Sequence, residues 1–140
     1  MDNLTINAIK RIAINDDENR VIEFDPTDVV FFEKYCRLLD ELTTKGEEYE
    51  AYLKKLDEES DDDMLKNIED GISYLRETCI YLRGKIDQVF GDETSQKAFG
   101  DTLSYGAIKQ FFEGTSKFIF PEREEKIAKY SGKKNSNVMK

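Results

Sequence analysis

Apolar residues recur along this chain with two different periods, and the change of period divides it. Near the N-terminus the period is two. Leu4, Ile6, Ala8, Ile12 and Ile14 alternate with mainly polar neighbours, and Lys10 interrupts on the apolar side. Asn15-Asp16-Asp17-Glu18-Asn19 predicts a polar turn, and Val21-Ile22-Glu23-Phe24 resumes a strand with Ile22 and Phe24 on one face. Residues 1–25 therefore predict a β-hairpin. A lone hairpin is marginal in water, so its apolar face must lie on something else.

The period then changes to that of a helix. Asp25-Pro26-Thr27-Asp28 predicts a helix start, with Asp25 as cap and Pro26 at the first helical position. Tyr35, Leu38, Leu42, Tyr49, Tyr52 and Leu56 follow at heptad spacing, broken once by Lys45. Gly46 leaves two forms open, one long helix to about Glu59 or a kink near Lys45-Gly46. Ser60-Asp61-Asp62-Asp63 predicts a turn and the next cap. Beyond it Leu65, Ile68, Ile72, Leu75, Cys79, Leu82, Ile86 and Val89 form a seam stepped by three and four. Met64, Tyr74, Ile80, Tyr81 and Phe90 widen that stripe, which predicts more than one partner surface. Residues 26–90 thus predict an antiparallel α-hairpin.

Phe90-Gly91-Asp92 and Phe99-Gly100-Asp101 repeat one punctuation: glycine suits the residue after a helix, and aspartate suits the next cap. They bracket a helix of barely two turns. A further helix is predicted over 102–113, with Gly114 able to end it. The fold expected is mainly α (α+β), in one elongated domain over 1–120 whose last part, 91–120, is short helices. Residues 121–140 hold six Lys or Arg against three acids and predict a basic, flexible tail.

Composition narrows the function. The 140 residues include no histidine, which removes the commonest general base and metal ligand together. Two cysteines are too few for a cysteine-only zinc site. No enzyme, cofactor or metal is predicted. Cys36 and Cys79 sit beside and within the helical seams and predict buried free thiols of a reducing cytoplasm. No secretory signal or membrane span is expected, since the longest apolar run is Val29-Val30-Phe31-Phe32.

The net charge is −9, and residues 40–70 alone carry thirteen acids against four lysines. No register in this run supplies the glycine and glutamate of a calcium loop, so it predicts a solvated hairpin tip. The aromatic residues lack the basic companions that stacking on nucleic acid needs. Phe111, Phe112, Phe118 and Phe120 are too many for one short helix and its exit to bury. They are the candidate partner-binding residues.

The segment 89–101, with Phe90-Gly91, Thr94-Ser95 and Phe99-Gly100, resembles a stretch of the tail assembly chaperones of long-tailed phages and prophages of Gram-positive bacteria. Phe111-Phe112 followed by Phe118 fits the same pattern. Ile22-Glu23-Phe24-Asp25-Pro26-Thr27-Asp28, leading into Phe32 and Tyr35, is similar to the start of such proteins. The resemblance spans 20–42 and 70–120, and its motifs are structural rather than catalytic. It implies a helical protein that coats the tape-measure protein in the host bacterial cytoplasm until tube subunits polymerise. The tape-measure protein, tail tube protein and further copies of the chain are the partners it implies. Two other readings stay open: an acidic DNA-mimic inhibitor of a nucleic-acid-binding protein, and a small structural or scaffold protein of the virion.

Overall fold

The computed structural model describes residues 1–59 and 63–131, with side chains from 122 onward not considered. The fold is mainly α with an N-terminal antiparallel hairpin. Strand β1 (Lys10–Ile14) pairs with β2 (Asp17–Phe24), and four helices follow: α1 (Val29–Glu59), α2 (Met64–Phe90), α3 (Thr94–Phe99) and α4 (Tyr105–Ser131).

The hairpin is shorter and tighter than its sequence pattern. Leu4, Ile6 and Ala8 precede β1 in exposed, irregular backbone, because no strand lies opposite them. The turn is the pair Asn15 and Asp16, both at positive φ, as a two-residue hairpin turn requires. A bulge between Ala13 and Ile14 absorbs the residues left over in β2. Ile12 pairs with Ile22, and Ile22 and Phe24 are buried. Lys10, the break in the apolar alternation, holds its ammonium 5.5 Å from the centre of the Phe118 ring.

Helix α1 starts three residues beyond its expected first position. Asp25 closes a turn by accepting from the Thr27 backbone and hydroxyl at 2.8 and 2.6 Å, while Asp28 accepts from Val30 N at 2.9 Å. Asp28 is therefore the cap, and Pro26 lies buried in the turn before it. The helix then runs unbroken for 31 residues through Lys45 and Gly46. Gly46 serves close packing: a Cβ there would stand 2.5 Å from the Tyr105 hydroxyl of α4.

Asp63 caps α2 through Lys66 N at 3.0 Å, as expected; Ser60, Asp61 and Asp62 lie outside the described residues. The two Phe-Gly pairs end α2 and α3, with Gly91 at φ 119° and Gly100 at φ 61°. Asp92 and Asp101 are not the caps they were expected to be. Asp87, one turn back in α2, takes the Ser95 backbone N–H at 2.7 Å and its hydroxyl at 2.9 Å. Ser104 caps α4 by accepting from Ala107 N at 3.0 Å.

Helix α4 passes through Gly114 and Pro121 to Ser131 instead of ending at 113. Ile108, Phe111, Phe112, Thr115 and Ile119 recur along one buried face, and their packing outweighs the cost of one glycine, about 1 kcal/mol. The basic segment from Pro121 is thus helical to Ser131, and 132–140 lies outside the described residues.

The core forms where the hairpin, the base of the α1–α2 pair and α4 meet. Phe90 stands edge-on to Phe24, Phe31, Tyr35 and Phe111, with ring centres 5.2–5.8 Å apart. Tyr35 lies at its centre, fully buried. Its hydroxyl bonds Thr115 and Ser116 at 2.8 Å each and donates to Phe112 O at 3.2 Å. Gly91→Ala puts a side chain at a φ that L residues resist and is expected to cost about 1–3 kcal/mol. Gly84→Ala, at an exposed helical position where a new Cβ meets nothing within 4 Å, is expected to stabilise by up to about 1 kcal/mol. Urea unfolding of the two variants measures both.

Candidate interaction surface

The four aromatic candidates separate into core and rim. Phe111 and Phe112 are buried, so the expectation that they form an exposed surface is corrected. The reason is the length of α4: as part of a long helix they face Phe90, Phe99 and Tyr35. Phe120 is half-buried against Phe32 and Tyr35 at 5.7 and 6.1 Å. Phe118 alone is exposed, at 40 %. It lines a cleft of about 270 Å³ with Phe111, Phe99 and the hairpin residues Ile12, Ile14 and Ile22. No residue lining that cleft carries an ionisable side chain, so it has an apolar packing character and no acid–base pair.

A larger exposed apolar surface lies on α2. Cys79, Leu82 and Ile86 of the heptad seam are fully buried, whereas Leu65, Ile68 and Ile72 are 66, 51 and 52 % exposed. The change comes between Cys79 and Ile72, a single heptad apart. Near the tip other residues of α2 meet α1. Gly71 lies under Leu53, and Tyr74 stacks on Tyr52 and Tyr49 with centres 4.3 and 6.0 Å apart. The sequence pattern marked Leu65, Ile68 and Ile72 as seam residues and missed that they are uncovered.

Helix α4 covers the seam only as far as its own first turn. The Tyr105 hydroxyl donates to Leu42 O at 3.4 Å. Burial, then the carboxylate of Glu50, then the Cys79 thiol, raise the Tyr105 pKa, so the ring stands at the junction of α1 and α2. Beyond Tyr105, towards the tip, the seam continues as Ile72, Ile68 and Leu65, with exposed Glu50, Asp57 and Glu69 on the same stretch of the two helices. Met64 adds a fourth exposed apolar side chain.

The cysteines are free, and burial raises the pKa of both Cys36 and Cys79. Neither has the lowered pKa of a reactive thiol. Among the described residues no group of three or more His, Cys, Asp or Glu side chains is placed to hold a metal ion. None of their helices is long and apolar enough to cross a membrane.

A family model described as a family of unknown function, DUF6673, matches residues 17–139. The chain belongs to that family. Its match begins at Asp17, the first residue of β2, and takes in all four helices, so the uncovered seam falls inside the DUF6673 unit. No curated protein and no solved structure matches the chain.

The buried groups make stability fall in alkali. Cys79 and Tyr35, ordinarily near 9.0 and 10.0, are both pushed up, in each case by burial first. Below these values both groups are protonated in the folded and unfolded chain alike. As pH rises through them the unfolded chain ionises first and gains, so the fold loses stability. Urea midpoints are expected to hold at neutral pH and to fall as pH rises through the ordinary cysteine and tyrosine ranges. Tyr35→Phe is expected to flatten that fall and to cost about 1–2 kcal/mol at neutral pH through the lost hydrogen bonds.

Proposed function

We propose that this chain is a non-enzymatic tail assembly chaperone of a long-tailed phage or prophage, which holds a helical segment of the tape-measure protein during tail morphogenesis. The observation that carries this reading is the uncovered half of the α2 seam. Met64, Leu65, Ile68 and Ile72 present apolar surface on a helical hairpin, at the spacing that receives another amphipathic helix. The positions that support the resemblance to tail assembly chaperones have structural roles that fit it. Phe90-Gly91 and Phe99-Gly100 end helices and send their rings into the core, and so leave the hairpin free to offer its tip. An acidic exterior suits a protein that keeps an aggregation-prone client in solution. Tube protein and further copies of the chain are the other partners, and the host cytoplasm is the place of action. Four apolar side chains interrupt the acidic tip where a DNA mimic would need unbroken carboxylates, which favours the chaperone reading over that alternative.

Co-expression with a tape-measure protein from the same phage or prophage tests the proposal. This chain is expected to raise the soluble fraction of that protein. Ile68→Asp/Ile72→Asp is expected to abolish the gain while the folded chain keeps its urea midpoint, because both residues are exposed. A client equally insoluble with and without the chain overturns the reading.

A further inference from the structure

The structure also indicates what kind of helix covers the seam. Where the seam is buried, its partner includes α4, whose Ile108, Phe111, Phe112 and Ile119 turn one apolar face inward. Tyr105, at the start of α4, stands beside Gly46 of α1 and donates its hydroxyl to Leu42 O. The uncovered residues Ile72, Ile68 and Leu65 continue the Cys79 heptads from that point towards the tip. Their site is therefore an extension of an existing helix-packing surface. From Leu65 to Ile72 it runs about 10 Å, or two turns of helix.

Charge selects among the helices that would fit. The stretch 40–70, which includes Leu53, Leu65 and Ile68 and stops two residues short of Ile72, holds thirteen acids and four lysines. Of those lysines, Lys45 pairs with Glu48 and Lys66 with Asp70. A second copy presenting the same tip would bring two strongly negative surfaces together. A helix with lysine or arginine beside its apolar face meets Glu50, Asp57 and Glu69 instead.

We infer that the exposed row of Leu65, Ile68 and Ile72 on α2, next to the Gly71 that packs under Leu53 of α1, docks a basic amphipathic helix of a partner protein, laid in line with α4. This rests on the reading of the seam as a client site, and adds the chemistry of the client segment.

The test uses two designed peptides of about 18 residues with the same leucine heptads. One carries lysine and the other glutamate at the remaining positions, and each is titrated against the full chain. The lysine peptide is expected to bind and the glutamate peptide to bind at least about tenfold more weakly. Ile68→Asp/Ile72→Asp is expected to weaken the lysine peptide by at least about tenfold. That substitution adds negative charge, so attraction by charge alone would make binding tighter. Ile80→Asp, an exposed site outside that row, is expected to leave the affinity within about twofold. Glu50→Lys/Glu69→Lys is expected to reverse the order of the two peptides. Equal binding of both peptides, no binding of either, or a lysine peptide indifferent to Ile68→Asp/Ile72→Asp overturns the inference. If the co-expressed client is still kept soluble in such a case, the chaperone reading stands, and what is lost is the basic character of the client segment or, where the Ile68→Asp/Ile72→Asp result fails, the docking site on α2.

Discussion

Tyr35 carries a hydroxyl into a fully buried site, and a buried hydroxyl left without partners costs about 1–3 kcal/mol. Helix α1 does not supply those partners. They come from Thr115, Ser116 and the Phe112 carbonyl, all on α4 and all some eighty positions along the chain. Meeting this need fixes α4 against α1 at one level and obliges α4 to stay helical past Gly114. The ring of Tyr35 then brings Phe31, Phe90, Phe112 and Phe120 around it, so the β2–α1 corner, the end of α2 and the middle of α4 converge on one residue.

Anchoring α4 there has a consequence at the far end of the hairpin. Towards the tip α4 reaches no further than Tyr105, its first residue, which stands beside Gly46. Among the described residues, the two long helices past that point pack mainly on each other. Two helices alone bury one line of contact, and Leu65, Ile68 and Ile72 lie off it. The tip is held instead by stacked tyrosines and by Leu53 over Gly71. One sequence pattern therefore serves as core at one end and as exposed surface at the other.

Much of this was legible in the chain. The class of fold, the hairpin, the unequal helices and the Phe-Gly stops are all written in periodicity and in glycine. What failed to show was which apolar residues find a partner. Phe111 and Phe112 looked surplus because Gly114 appeared to end their helix early, and tertiary packing overrode that breaker. Leu4, Ile6 and Ala8 looked like strand because alternation is a local signal, whereas pairing depends on a strand standing opposite. Asp92 and Asp101 looked like caps by position, yet Asp87 reached Ser95 from a preceding turn. Each miss is a case where a contact distant in sequence, or one turn removed, decided the outcome. The candidate site was missed for the related reason that a heptad series states where apolar residues lie and not what covers them.

The charge around the uncovered seam gives that surface its character. Exposed Leu65, Ile68 and Ile72 form the sort of row that associates with itself or with any apolar surface. Set in an uncharged hairpin they would be a liability to the free protein. Carboxylates such as Glu50, Asp57 and Glu69 change the balance unequally for different partners. Their repulsion acts fully against a second tip, weakly against a neutral helix, and becomes attraction towards a cationic one. Over distances beyond about 8–10 Å physiological salt screens these forces, so the discrimination operates when surfaces are nearly in contact. In the proposed complex the apolar row supplies the affinity and the acidic surroundings set the selectivity. That division suits the proposed client site, where tip must not pair with tip while a helix from elsewhere is accepted.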